Sequence, residues 1–145
     1  MAELIVRKTI YISAPPLKVW STITSPSAIR RWMLVEPALE SDGPLQLGDR
    51  IRWNDDHGKT YLTGTVVTLD PLQKLVLALE DIGWQRKARP EEVTYALALS
   101  ESDGGSRLAF MLGDLAIDPQ GQQWFDAYSA SEELAIIKAM VEDQP

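Results

Sequence analysis

The run DPQGQQWFDAYSASEELAIIKAMVE, residues 118–142, decides the fold. It is the only long stretch with helical spacing, and most of what precedes it reads as strand. Trp124, Ala127, Tyr128, Ser131, Leu134, Ala135, Ile137 and Val141 recur at three- and four-residue steps, which gathers them on one face. Asp118 suits an N-cap, Pro119 suits the first helical position, and Asp143, Gln144 and Pro145 give no reason to continue. The pattern predicts one helix, roughly 35 Å long at about 1.5 Å per residue. Its middle is small: Ala127, Ser129, Ala130 and Ser131 leave room between the helix and whatever carries it. A ligand would be let in at Ala127, Ala130 and Ser131.

Outward from that run the periodicity changes from helical to twofold. Leu4, Val6, Ile10 and Ile12 alternate with Ile5, Arg7, Thr9 and Tyr11, a strand whose apolar face Lys8 interrupts, so that face opens to solvent or a cavity there. Ser13 followed by Pro15-Pro16 stops the strand and starts a short helix, and Ser25-Pro26 starts a second that runs through Trp32. Residues 34–40 form a weak strand broken by Pro37, which suits an edge. Arg50–Trp53, Thr60–Leu69, Lys74–Glu80, 93–100 and Arg107–Leu115 follow as strands separated by turn residues. Hairpin connections make the sheet antiparallel, with one face to cover, and the C-terminal helix is the only element long enough to cover it. The chain is therefore α+β: a curved sheet of about six to seven strands wrapped on a long terminal helix, with two short helices after the first strand.

The bulk properties fit one soluble domain over residues 1–145, expected in the cytoplasm. Apolar content is 45% and charged content 24%, ordinary for a globular chain. The start MAELIVRKTIYI alternates and carries charge, unlike a signal peptide or a membrane span. Zero cysteines exclude disulfides and thiolate chemistry. A net charge of −7 and the lack of any basic run argue against nucleic acid.

The opening strand, then APPLKVWSTITSPSAIRRWM, Gly48-Asp49, His57-Gly58, Tyr-Leu-Thr-Gly at 61–64, VVTLDPLQKLVLALE and VTYALALSESDGGSRLAF, taken in this order, resemble the activator-of-Hsp90-ATPase-like family. That family lies in the START-related (SRPBCC, Bet v-like) helix-grip superfamily. The resemblance implies a helix-grip fold and a cavity for an apolar ligand between sheet and terminal helix. The family often has two glycines where this chain has Gly48-Asp49, and a glycine near the start of the last helix that Gly121 matches. Nothing in these residues corresponds to the additional N-terminal domain through which the eukaryotic co-chaperone contacts its chaperone.

No catalytic, cofactor or metal pattern is present, and no enzyme activity is called for. His57, the sole histidine, sits with Asp55 and Asp56 at a hairpin tip and reads as a solvated loop rather than a base or zinc ligand. The adjacent pairs Glu91-Glu92 and Glu132-Glu133 read as solvated surface. No G-x-S-x-G, glycine-rich phosphate loop or H-E-x-x-H occurs. Five tryptophans against two phenylalanines point instead to large apolar surfaces that carry a polar N–H. Trp32, Trp53, Tyr61, Trp84, Tyr95, Trp124, Tyr128 and Ser131 are the candidate cavity residues, with Arg86 a further polar handle if it is not solvated in its loop. The expected function is binding of a hydrophobic or amphipathic small molecule in that cavity. The alternatives are a protein-interaction module of chaperone-activator type, whose acidic balance would favour a basic partner, and a cyclase- or hydrolase-like enzyme using the same cavity.

Overall fold

The computed structural model describes residues 3–143; Gln144 and Pro145, expected to stop the last helix, lie outside them. Twofold alternation produces β1 (Val6–Ile12), with Val6, Lys8, Ile10 and Ile12 on the inner face and Arg7, Thr9 and Tyr11 on the outer. α1 (Pro16–Thr24) and α2 (Pro26–Trp32) each begin on a proline, whose missing N–H has no partner to lose at that position. Val19, Ile23, Ile29 and Trp32 turn inward from this pair and close one end of the core.

Six strands follow: β2 (Ala38–Leu39), β3 (Arg50–Asn54), β4 (Thr60–Asp70), β5 (Lys74–Asp81), β6 (Thr94–Ser102) and β7 (Gly105–Gly113). All pairings are antiparallel, in the order β1-β7-β6-β5-β4-β3-β2, so the first strand closes on the last. The predicted strand over 34–40 contracts to the two edge residues of β2, because Pro37 has no N–H for the ladder. Register shifts after Trp53 and Val66 bend β3 and β4, as bulges do. Gly64 lies within the bend: a Cβ there would stand 3.3 Å from both Trp53 Cζ3 and a Leu79 methyl. The glycine thus lets the indole lie flat against β4.

The C-terminal segment is helical, as its spacing predicts, but it is not continuous. A 3-10 turn (Leu115–Ile117) leads into α3 (Gly121–Ser129), and after Ala130–Glu132 the chain resumes as α4 (Glu133–Glu142). Asp118 caps no α-helix; it ends the 3-10 turn and accepts from Gln120 N at 2.7 Å. Gly121 allows the closest approach, since a Cβ would stand 2.1 Å from Leu115 O.

The break has a physical cause on β1. Lys8 points into the grip, and its ammonium donates to Tyr128 O at 2.6 Å, Ser131 O at 3.0 Å and Ser131 Oγ at 2.9 Å. A continuous helix would have used those carbonyls internally. Leu134, Ile137 and Val141 of α4 are buried, joining Leu97, Leu108 and Phe110 of the sheet in the core. No helix among the described residues is long and apolar enough to cross a membrane.

Candidate functional site

Two polar and aromatic features lie between the sheet and the C-terminal segment. The deeper one is centred on Lys8. Beyond its three acceptors, its ammonium stands 3.8 Å from Glu133 Oε1 and 5.2 Å from the centre of the Phe110 ring. Burial lowers the Lys8 pKa, and the Glu133 charge opposes that shift. Glu133 is 1% exposed, which corrects the expectation that Glu132-Glu133 is a solvated pair. The first turn of α4 carries this carboxylate inward beside Leu134 and Ile137, because the break resets the helical phase. The Tyr95 hydroxyl donates to Glu133 Oε2 at 3.5 Å, whereas Oε1 is buried without a hydrogen-bond partner among the described residues. Tyr95 packs edge-on against Phe110, and Phe110 stacks with Tyr128 at 6.4 Å.

The second feature is an open cleft of about 270 Å³ between α3 and the β3–β4 hairpin. Trp53, Tyr61, Trp124 and Tyr128 form its aromatic walls, Leu34, Val35 and Leu62 add aliphatic surface, and Gln120, Gln123 and Ala127 border it from α3 and the turn before it. None of these residues is charged. The Trp53 N–H is already spent on Val35 O at 3.1 Å. Among the described residues neither the Tyr61 nor the Tyr128 hydroxyl has a hydrogen-bond partner. Burial raises both phenol pKa values, with Asp81 adding to the shift at Tyr61 and Glu133 to that at Tyr128. Both therefore remain neutral hydrogen-bond donors at physiological pH rather than bases.

Tyr61, Gln120 and Trp124 also border a second hollow of about 370 Å³, whose far wall holds Asp81 and Asp118. Asp118 Oδ2 accepts from the Trp84 N–H at 2.7 Å. Burial raises the Asp81 pKa; the Gly83 N–H opposes this and the Asp118 charge reinforces it. Among the described residues no cation lines either space.

The eight sequence-predicted residues therefore divide. Trp53, Tyr61, Trp124 and Tyr128 come together on the cleft. Tyr95 and Ser131 lie deeper, around Lys8 and Glu133. Trp32 is 1% exposed and donates to Thr22 O at 3.0 Å, and Trp84 is buried and tied to Asp118; both act as packing at element ends. Ala130 is exposed and Ser131 faces Lys8, so of the three small positions only Ala127 borders the cleft. Arg86 is solvent-exposed and forms a two-pronged pair with Glu92, while His57 stays in the exposed β3–β4 turn that Asp55 organises.

A seven-stranded antiparallel sheet closed over a C-terminal helical segment, with an aromatic cleft between them, defines a helix-grip protein. The chain matches the family model "Activator of Hsp90 ATPase homolog 1-like protein" over residues 13–137, and it belongs to that family. Its fold is similar to a Mesorhizobium loti protein (TM-score 0.74, 18% identity, 97% of this chain and 98% of that one). It is also similar to the Aha1 dimer protein of Colwellia psychrerythraea (TM-score 0.69, 15% identity, 99% and 98%). DynU16, from the dynemicin biosynthetic locus, matches with TM-score 0.71 and 15% identity over 98% of this chain but 48% of its own. No curated protein matches the chain.

Proposed function

We propose that this protein binds a compact apolar molecule, uncharged or cationic, in the cleft between α3 and the β3–β4 hairpin. The observation that carries the reading is the cleft's composition: aromatic walls, no charged residue, and two phenol hydroxyls with no hydrogen-bond partner among the described residues. Mainly apolar walls with a few oriented polar groups are the usual form of a small-molecule site. The hydroxyls suit an acceptor oxygen on the ligand. The carboxylates of the adjoining hollow disfavour an anionic end, so fatty acids are poor candidates. At about 270 Å³ the space suits a compact molecule of two or three rings rather than a long acyl chain.

Titration with N-phenyl-1-naphthylamine, a neutral apolar fluorophore, tests this. The expected result is saturable one-to-one binding that changes tryptophan emission through Trp53 and Trp124. Laurate should not compete, whereas small neutral aromatic alcohols and amines should. Absence of saturable binding, or displacement by laurate alone, would contradict the reading.

A further inference from the structure

The outer face of the sheet carries a charge opposite to that of the whole chain. Alternation turns Arg7 of β1, Arg50 and Arg52 of β3, Lys74 of β5 and Arg107 of β7 outward, against two outward carboxylates, Asp70 and Glu80. This occurs in a protein whose net charge is −7. Among the described residues none of the five cations forms an ion pair.

Between them runs a trough. Across the sheet one level reads Thr9, Ala109, Ala98, Lys74 and the next reads Arg7, Met111, Ala96, Val76. The small side chains of β6 and β7 leave a groove of about 360 Å³, bordered by Arg7 on one side and Lys74 on the other. Those flanking strands are three strand spacings apart, roughly 14 Å. An α-helix with its side chains is about 10–12 Å across, so one fits the trough lengthwise.

We infer that this face docks an amphipathic acidic helix of a partner protein. The helix would lay small or aliphatic side chains on Ala98 and Ala109, above the buried Ala96, and direct carboxylates sideways to Arg7 and Lys74. Charge complementarity selects an acidic partner, in place of the basic one that the chain's net charge suggests. An alanine floor favours protein side chains over a phosphate backbone, which would want donors there instead. This surface lies on the opposite side of the sheet from the aromatic cleft and does not depend on it.

The test uses the intact protein, isotopically labelled, with a helical peptide whose leucine stripe is flanked by glutamates, and a second peptide with lysines in their place. The glutamate peptide should shift the amides of Ala96, Ala98 and Ala109, and the lysine peptide should not. R7E/K74E changes only exposed side chains; it should keep the native amide spectrum and weaken binding about tenfold or more. A98W, which fills the trough without altering charge, should weaken it as well. Shifts on another face, equal binding of both peptides, or unaltered affinity in R7E/K74E would overturn the assignment. So would tighter binding to duplex DNA or anionic vesicles than to the glutamate peptide, or concentration-dependent shifts showing that a second copy covers the trough.

Discussion

The two halves of the C-terminal segment are built for different work. α4 buries Glu133, Leu134, Ile137 and Val141 and packs on β1, α1 and α2. α3 buries only Gly121, and its Trp124, Phe125 and Tyr128 are half-buried against the 3-10 turn and β1. One half is a scaffold; the other is a wall. A helix that is both the core's cover and a cavity's boundary would couple every change at the ligand to the stability of the fold. Breaking it at Ala130–Glu132 separates the two duties, and Lys8 holds the break by satisfying the carbonyls that it frees.

The contrast is sharpest in a pair of truncations. I137A should cost about 2–5 kcal/mol, because a fully buried side chain leaves a cavity that the sheet cannot fill. W124A removes more atoms from a half-exposed site and should cost less than I137A in urea denaturation, while abolishing binding of the naphthylamine probe. Equal destabilisation by the two would erase the distinction between scaffold and wall.

The junction comes next. K8M leaves the Glu133 carboxylate buried without its cation and should cost about 3 kcal/mol. Adding E133Q should recover part of that loss, a sign that the pair acts as a unit. If K8M and K8M/E133Q melt together, Lys8 does not serve that pair. A smaller stability effect is expected from A127W, which places an indole over the cleft from an exposed position; stability should change by less than about 0.5 kcal/mol while probe binding is lost. Intact binding in A127W would move the ligand away from α3.

The smallest effect lies at the far end of α4. Lys138 donates to Glu142 Oε2 at 2.6 Å, and Ser13 N donates to the same carboxylate at 2.7 Å. These bonds, the Lys138 one foremost, hold the folded carboxyl below its ordinary value of 4.5. Its stabilising contribution is therefore complete above about pH 4.5 and is lost as pH falls through the folded value. Acid denaturation of E142Q should show a shallower slope in that window, and a slope matching the parent would remove Glu142 from the account.

Much of this was readable from residue order. The prolines, the twofold strands and the helical spacing of 118–142 define a helix-grip architecture, since each is a local signal that the tertiary structure leaves intact. Lys8 announced itself as a charge on an otherwise apolar strand face. Its partner did not, because Glu133 stands next to Glu132 in an acidic pair of the kind that is ordinarily solvated. Only the break, made by a lysine 125 positions earlier in the chain (133 − 8), turns it inward. The aromatic set was half legible for a related reason. Composition marks tryptophan as large and polar-tipped, but whether it lines a cleft or fills a core depends on what lies opposite: Trp32 meets the helix carbonyl of Thr22 there, and Trp84 the carboxylate of Asp118. The basic outer face was hidden altogether: its cations are scattered over four strands and form no run, and only the register assembles them.

Amide hydrogen exchange along α3 and α4, with and without saturating N-phenyl-1-naphthylamine, tests the division of labour most directly. Fast exchange in α3 and slow exchange in α4 are expected for the free protein, with the probe slowing α3 toward α4 and leaving α4 unchanged. Equal protection of the two helices in the free protein, or a probe that slows α4 and not α3, would contradict it.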